Sequence, residues 1–335
     1  MRNPAYRLMR RLAVPVALLA VLFSATASHA AATSTARDLG TLGGGASRAW
    51  GINDRDQVVG ESETADGRTH AFLWSNGQMT DLGTLGGPFS RAADINNRGQ
   101  VVGTSMTAAG DSHAFLWENG VMHDLGAMAG TMSSATAINN QGQIVGSYQG
   151  PGMFDLPFGF VWRNGQWSDL GSLPGGCCTD PRDINDTGQI AGLGYTALGQ
   201  QRAVRWQAGV LTNLGTLGGG SSYASGINNR GQVVGGSWTG ADPGVGHGFL
   251  WQDGVMTDLG VNGISDINDQ GQIAGMTPEG PSGPRAFVSD HGVVTELPTL
   301  GGPWGDAAAI NNLGHAAGIS AINSQFTYHA ALWMP

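Results

Sequence analysis

Three stretches of the chain place side-chain oxygens where a cation could use them. Asp94-Ile95-Asn96-Asn97-Arg98-Gly99, Asp183-Ile184-Asn185-Asp186-Thr187-Gly188 and Asp266-Ile267-Asn268-Asp269-Gln270-Gly271 all begin like a calcium loop. Such a loop also needs an Asp or Asn ligand at its fifth position and a glutamate at its twelfth. Both are missing, and Arg98 occupies one of the fifth positions, so the stretches read as structural turns and no metal is expected. His70, His113, His247 and His329 recur at one position of a repeat, where other copies hold Phe158, Arg202 and Arg285. An imidazole that phenyl or guanidinium can replace is a poor zinc ligand; these histidines are expected to hydrogen-bond at strand entries.

Cys177 and Cys178 are the only cysteines. Neighbours in sequence cannot staple distant segments, but they can close a vicinal disulfide as a local lock, or remain two thiols. The chain has no Gly-x-Ser-x-Gly elbow, phosphate loop or His-Glu-x-x-His, and no cofactor is expected. Asp155, Asp180, Asp242 and Asp306 are the acids a glycan hydrolase or lyase would use, in pairs about 5 to 10 Å apart.

The elements that must position these residues are set by a repeat. Ile52, Ile95, Ile138, Ile184, Ile227, Ile267 and Ile310 each open a copy of I-N-x-x-G-Q-V-V-G, with starts 40 to 46 residues apart. In the second copy the strand candidates are Arg91 to Asn96, Gln100 to Ser105, His113 to Trp117 and Val121 to Leu125. Each is short, rich in β-branched or aromatic residues, and bounded by Gly, Asn or Asp. The repeated Asn folds its side chain onto backbone N–H groups two residues on, and the Gly three residues later supplies the left-handed turn. Asp56 stands in for that Gly in the first copy. Asn119-Gly120 and its counterparts are two-residue hairpin turns.

Four-stranded units of this length predict an all-β fold, a seven-bladed β-propeller of antiparallel blades. The strand at Arg37 to Leu42 lacks a unit at the start, and His329 to Trp333 lacks a fourth strand at the end. Their pairing is expected to close the ring. The Phe and Trp of each third strand are expected in the core between blades, and the Asp-Leu-Gly-Thr-Leu-Gly segments at the rim.

Chemistry requires a unique constellation, so the places where the repeat breaks are the candidates. These are Tyr148 to Phe158, Cys177 to Arg182, Trp238 to His247 and Gly302 to Asp306, all on connections that emerge at the end of the ring opposite the I-N-x-x-G turns. Arg48, Arg91, Tyr148, Arg182, Tyr195, Tyr223, Trp238 and Trp304 are therefore the candidate ligand-binding residues, with Phe89 and Phe154 as further exposed aromatics. Aromatic rings, arginines and scattered acids on one loop face suit a planar sugar face or an extended peptide.

Residues 1–30 have the pattern of a secretory signal, with Arg2, Arg7, Arg10 and Arg11 before an apolar run and Ser28-His29-Ala30 at the cleavage point. Residues 31–335 are then one repeat domain. All 16 basic residues are Arg; loss of four leaves 12 against 25 acids, a net charge of −13. That balance excludes a phosphate-backbone partner, so no nucleic acid is expected. The mature chain has no transmembrane run and is expected to be a monomer, secreted or periplasmic.

The linked motifs His-Ala-Phe-Leu-Trp, I-N-x-x-G-Q-V-V-G and Asp-Leu-Gly-Thr-Leu-Gly-Gly resemble the HAF-repeat family of exported bacterial proteins over about residues 37–333. The resemblance implies export and a repeat fold, but no reaction. The first reading of function is an exported, non-enzymatic binding module that uses the variable-loop face. The others are a glycan hydrolase or lyase and a structural envelope protein without a ligand.

Overall fold

The computed structural model describes residues 35–128, 132–149, 157–240, 246–277, 283–325 and 327–334. The expected signal, Phe154, Asp155 and Asp242 lie outside the described residues. Every described regular element is a strand, and no helix among them is long and apolar enough to cross a membrane.

Strand β1 is Thr35–Asp38. Six meanders follow. β2–β5 are Gly43–Ile52, Val58–Thr64, Thr69–Ser75 and Gln78–Asp81; β6–β9 are Gly86–Ile95, Val101–Thr107, Ser112–Glu118 and Val121–Gly126. β10–β13 are Ser133–Ile138, Ile144–Gln149, Pro157–Arg163 and Gln166–Asp169; β14–β17 are Thr179–Ile184, Ile190–Tyr195, Gln201–Gln207 and Val210–Asn213. β18–β21 are Gly218–Ile227, Val233–Thr239, Gly246–Gln252 and Val255–Asp258; β22–β25 are Ile264–Ile267, Ile273–Thr277, Arg285–Asp290 and Val293–Glu296. β26–β28 are Gly305–Ile310, Ala316–Ala321 and Tyr328–Met334.

The strands form six sheets, not seven separate ones, because a parallel bridge from Thr69 to Phe89 joins the first two meanders into an eight-stranded sheet. The other five are four-stranded and antiparallel. In one of them β1 pairs with β28, Thr35 opposite Met334 and Asp38 opposite Ala331, so strands from both ends of the described chain share a sheet. The first strands run longer than the sequence suggested: β6 starts at Gly86, because Gly-Gly-Pro-Phe-Ser continues extended beside the end of β7.

The turns form as their residues dictate. In the second copy Asn96 Oδ1 accepts from the N–H of Arg98 and of Gln100, and Gly99 takes φ +80°. Asp56 adopts φ 56° in the first copy, at a cost of about 1 kcal/mol. Asn119 and Gly120, both at positive φ, make the hairpin between β8 and β9.

Packing occurs between meanders. Phe72, Phe115, Phe160, Phe249 and Phe287 are completely buried. One cluster joins Ala49, Ile52, Phe72 and Trp74 of the first meander to Ala317, Ala330 and Leu332 of the last sheet. Of the leucines that follow the fourth strands, expected at the rim, Leu39, Leu82 and Leu214 are buried in the seams, whereas Leu125, Leu170 and Leu259 are half-buried.

A serine rivets many of these seams. Ser90, fully buried, accepts from the Ala71 N–H (2.8 Å) and donates to the Gly83 carbonyl (2.6 Å), both on the preceding meander. Ser47, Ser133 and Ser222 do the same. Ser90→Ala leaves a buried donor and acceptor unpaired and is expected to cost about 1–3 kcal/mol. Denaturant unfolding checks this; an unchanged midpoint would deny the rivet.

Candidate functional site

At the I-N-x-x-G end, the seven repeated asparagines form a closed hydrogen-bonded cycle. Asn53 Nδ2 donates to the Asn96 carbonyl, and so on through Asn139, Asn185, Asn228 and Asn268 to Asn311, which donates back to the Asn53 carbonyl. A second cycle lies beside it. The Asp54 N–H donates to Asn97 Oδ1, and the series runs through Asn140, Asp186, Asn229, Asp269 and Asn312 back to Asp54. The cavity there is only about 160 Å³. Its polar groups are spent on one another, so this end is a plug.

One layer deeper, Asp94, Asp183 and Asp266 alternate with Gly51, Ala137, Gly226 and Ala309 around the axis. Each carboxylate accepts from the N–H of its own following Ile and from that of the next repeat's Ile, as Asp266 does from Ile267 and Ile310. The acids of the calcium-like stretches thus brace adjacent inner strands. A Cβ at Gly226 would lie 3.0 Å from Asp266 Oδ1, which explains the small residue between two acids.

Burial raises all three carboxyls, and repulsion from the neighbouring acids adds to it at Asp183 and Asp266; Asp266 goes from 3.8 to about 7. The folded chain therefore holds more protons than the unfolded chain between about pH 4 and 7. Stability from this group is full below pH 4 and falls as pH rises toward 7. Asp266→Ala, which copies Ala309, is expected to lose the two N–H bonds at every pH but to flatten that decline. Unfolding curves from pH 4 to 8 decide it; parallel slopes for both proteins would refute the assignment.

The opposite end opens into a cavity of about 600 Å³ lined by Trp50, Arg91, Arg182, Gln201 and Tyr223, with Ala93, Thr136, Ser225 and Ala308 on its walls. The inner strands provide most of it. Arg91 and Ala93 share the axis-facing side of β6, as Asp180 and Arg182 share that of β14 and Asp306 and Ala308 that of β26. Small residues at this level leave the space that Trp50, Arg182 and Tyr223 partly fill.

Of the residues singled out from sequence, Arg91, Arg182 and Tyr223 come together here. Arg91 has no hydrogen-bond or ion-pair partner among the described residues and is exposed. Arg182 bonds Asp180 at 2.6 Å. Burial raises Asp180, though Arg182 opposes that effect.

The other candidates lie apart. Arg48 donates to the Tyr328 hydroxyl and faces Glu61 at 3.5 Å in a separate cavity of about 270 Å³. Tyr148, expected exposed, is buried: its hydroxyl donates to Asp169 at 2.6 Å, and burial with that carboxylate pushes its pKa up to about 12. Tyr148 nevertheless walls a lateral cavity of about 580 Å³ that Arg91 also lines. Tyr195 accepts from Gln201 Nε2 (3.1 Å), Trp238 is exposed beside Gly246, and Trp304 packs against Tyr328.

Trp50 was missed. It breaks the repeat as clearly as any loop, standing where other copies have Ala93, Thr136, Ser225 or Ala308, but on a strand where only packing was expected. Its Nε1 has no partner among the described residues; neither has Asp306 Oδ1, whose carboxyl is raised by burial.

The histidines bond the aspartates of the Asp-Leu-Gly segments: His70 to Asp81, His113 to Asp124, His247 to Asp258 and His329 to Asp38. Where Phe158 replaces His, Tyr148 takes Asp169 instead. No group of three or more His, Cys, Asp or Glu among the described residues is arranged to hold a metal. Cys177 and Cys178 are joined as a vicinal disulfide just before β14.

No family model and no curated protein matches the chain, so the HAF-repeat resemblance stands on the repeated motifs alone. Solved structures do match. The β-propeller domain of the Trilobed protease from Pyrococcus furiosus aligns with a TM-score of 0.55 at 10% identity, over 74% of this chain and 82% of that one. A Mycobacterium tuberculosis puromycin-hydrolyzing peptidase gives 0.53 at 12% identity over 85% and 51%, and the Pyrococcus horikoshii acylaminoacyl peptidase 0.50 at 9% over 82% and 49%. The chain spans about half the length of those two peptidases. At such identities the likeness concerns fold alone: the architecture is that of a β-propeller.

Proposed function

We propose that the chain is an exported, seven-bladed β-propeller that binds a glycan or an extended peptide in the cup at the loop end of its axis, without transforming it. The seven-blade count treats the eight-stranded sheet as two blades joined at the Thr69–Phe89 bridge. The two seven-membered hydrogen-bond cycles support that count. Export rests on the pattern of residues 1–30, and N-terminal sequencing of the secreted protein should begin at Ala31.

The observation that carries the binding reading is the cup itself, where Trp50, Tyr223 and an unpaired Arg91 converge. An array of glycans and peptides, probed with the wild-type chain and with Arg91→Ala/Tyr223→Ala, tests it. Retention by wild type and loss in the variant is expected. Equal retention, or none by the folded wild type, overturns the reading. The hydrolase or lyase reading needs two acids acting together. Among the described residues Asp180 is committed to Arg182, which leaves Asp306 without an evident second; Asp155 and Asp242 lie outside them.

A further inference from the structure

We infer that the ligand is an acidic oligosaccharide of uronate-type sugars, laid from the central cup into the lateral cavity with one carboxylate held by Arg91. The inference rests on reading the cup as a ligand site and specifies what fills it. Arg91 lines both cavities, so the two spaces share this residue. Each falls within the range of about 300–1,000 Å³ usual for bound small molecules.

The charge balance selects the ligand's sign. Arg182 is paired with Asp180, and Arg48 with Glu61 and Tyr328, whereas Arg91 has no protein partner among the described residues. In a chain of net charge −9, an exposed guanidinium left unpaired inside a cleft is a receptor for an anion. Its planar fork matches a carboxylate in two parallel hydrogen bonds.

The walls select a sugar. Trp50 and Tyr223 flank the cup, Phe89 and Tyr148 the lateral cavity. Such rings stack on the C–H faces of pyranoses while their polar edges bond hydroxyls. A peptide would bind chiefly by adding to a free strand edge. The inner strand β10 heads its sheet and keeps one edge free, so an extended peptide is the rival occupant that the test must separate from a sugar.

The test is calorimetric titration of the mature chain with tetrasaccharides of galacturonate, mannuronate and hyaluronan, each beside its carboxyl methyl ester. At least one acid form should bind ten-fold or more tighter than its ester. Arg91→Ala should erase that preference, Arg91→Lys should keep part of it, and Arg48→Ala should leave it unchanged. If acid and ester bind alike, the carboxylate assignment fails while the cup remains a glycan site. If no tetrasaccharide binds but an acidic peptide does, and Arg91→Ala abolishes that, the sugar assignment fails. If none of these probes binds the folded protein, this inference falls, while the reading beneath it is decided separately by the array of glycans and peptides.

Discussion

Deleting residues 35–44 is expected to lower the melting temperature by about 10 °C or more, or to leave the protein aggregated. The deletion removes β1 from the edge of β28, along with the Leu39 N–H bond to the Ala330 carbonyl and the Asp38–His329 pair. It also removes Leu39, 5% exposed, from the cluster that joins the first meander to the last sheet. Burial of one such leucine is worth about 2–5 kcal/mol by truncation, and each kcal/mol moves the midpoint of a domain this large by about 2–4 °C. The exposed edge of β28 then becomes a template for association. Because Thr35 lies opposite Met334, a circular permutant that begins at Gly43 and joins 334 to 35 through Asn-Gly should restore the melting temperature. An unchanged midpoint in the truncated chain would sink the ring closure; failure of the permutant would show that more than strand pairing was lost.

The scaffold was largely legible because it is written seven times. Turn chemistry at Asn96 and Gly99, hairpins at Asn119-Gly120 and buried Phe115 each follow from local pattern. The contacts between repeats were less accessible. His113 and Asp124 are 11 residues apart on adjacent strands, and only the joint changes to Arg202 with Asn213 and to Arg285 with Glu296 hint that they pair. Asp94, Asp183 and Asp266 looked like the start of cation loops because spacing in sequence says nothing about which neighbouring strand supplies the N–H. For the site, seeking breaks in the repeat led to Arg91, Arg182 and Tyr223, which lie on β6, β14 and β18 and line one cavity; Trp50 of β2 lines it too but was read only as part of a packing strand.

Asn228→Asp, which changes one atom of a buried side chain, is expected to destabilise the fold by about 3–6 kcal/mol at pH 8. Asn228 is 3% exposed. Its Nδ2 donates to Gln232 Oε1 (2.7 Å) and to the Asn268 carbonyl (2.9 Å), while Oδ1 accepts from the N–H of Arg230 and of Gln232. The substitution keeps the acceptor but turns both donated bonds into contacts between acceptors, one bearing a charge. Each unsatisfied buried group costs about 1–3 kcal/mol, and more when ionised. The new carboxyl should titrate above its unfolded value. The penalty is therefore complete above that folded-state pKa, and shrinks as pH falls and a proton restores one donor. Asn228→Ala, without that proton, should show no such recovery. A variant within 1 kcal/mol of wild type at pH 8 would mean that the cycle carries little of the fold's stability. The neighbouring Asn229→Ala, exposed in the outer cycle, should cost less, and under the proposed binding role it should leave ligand retention unchanged, because the turns lie at the other end from Trp50, Arg91 and Tyr223.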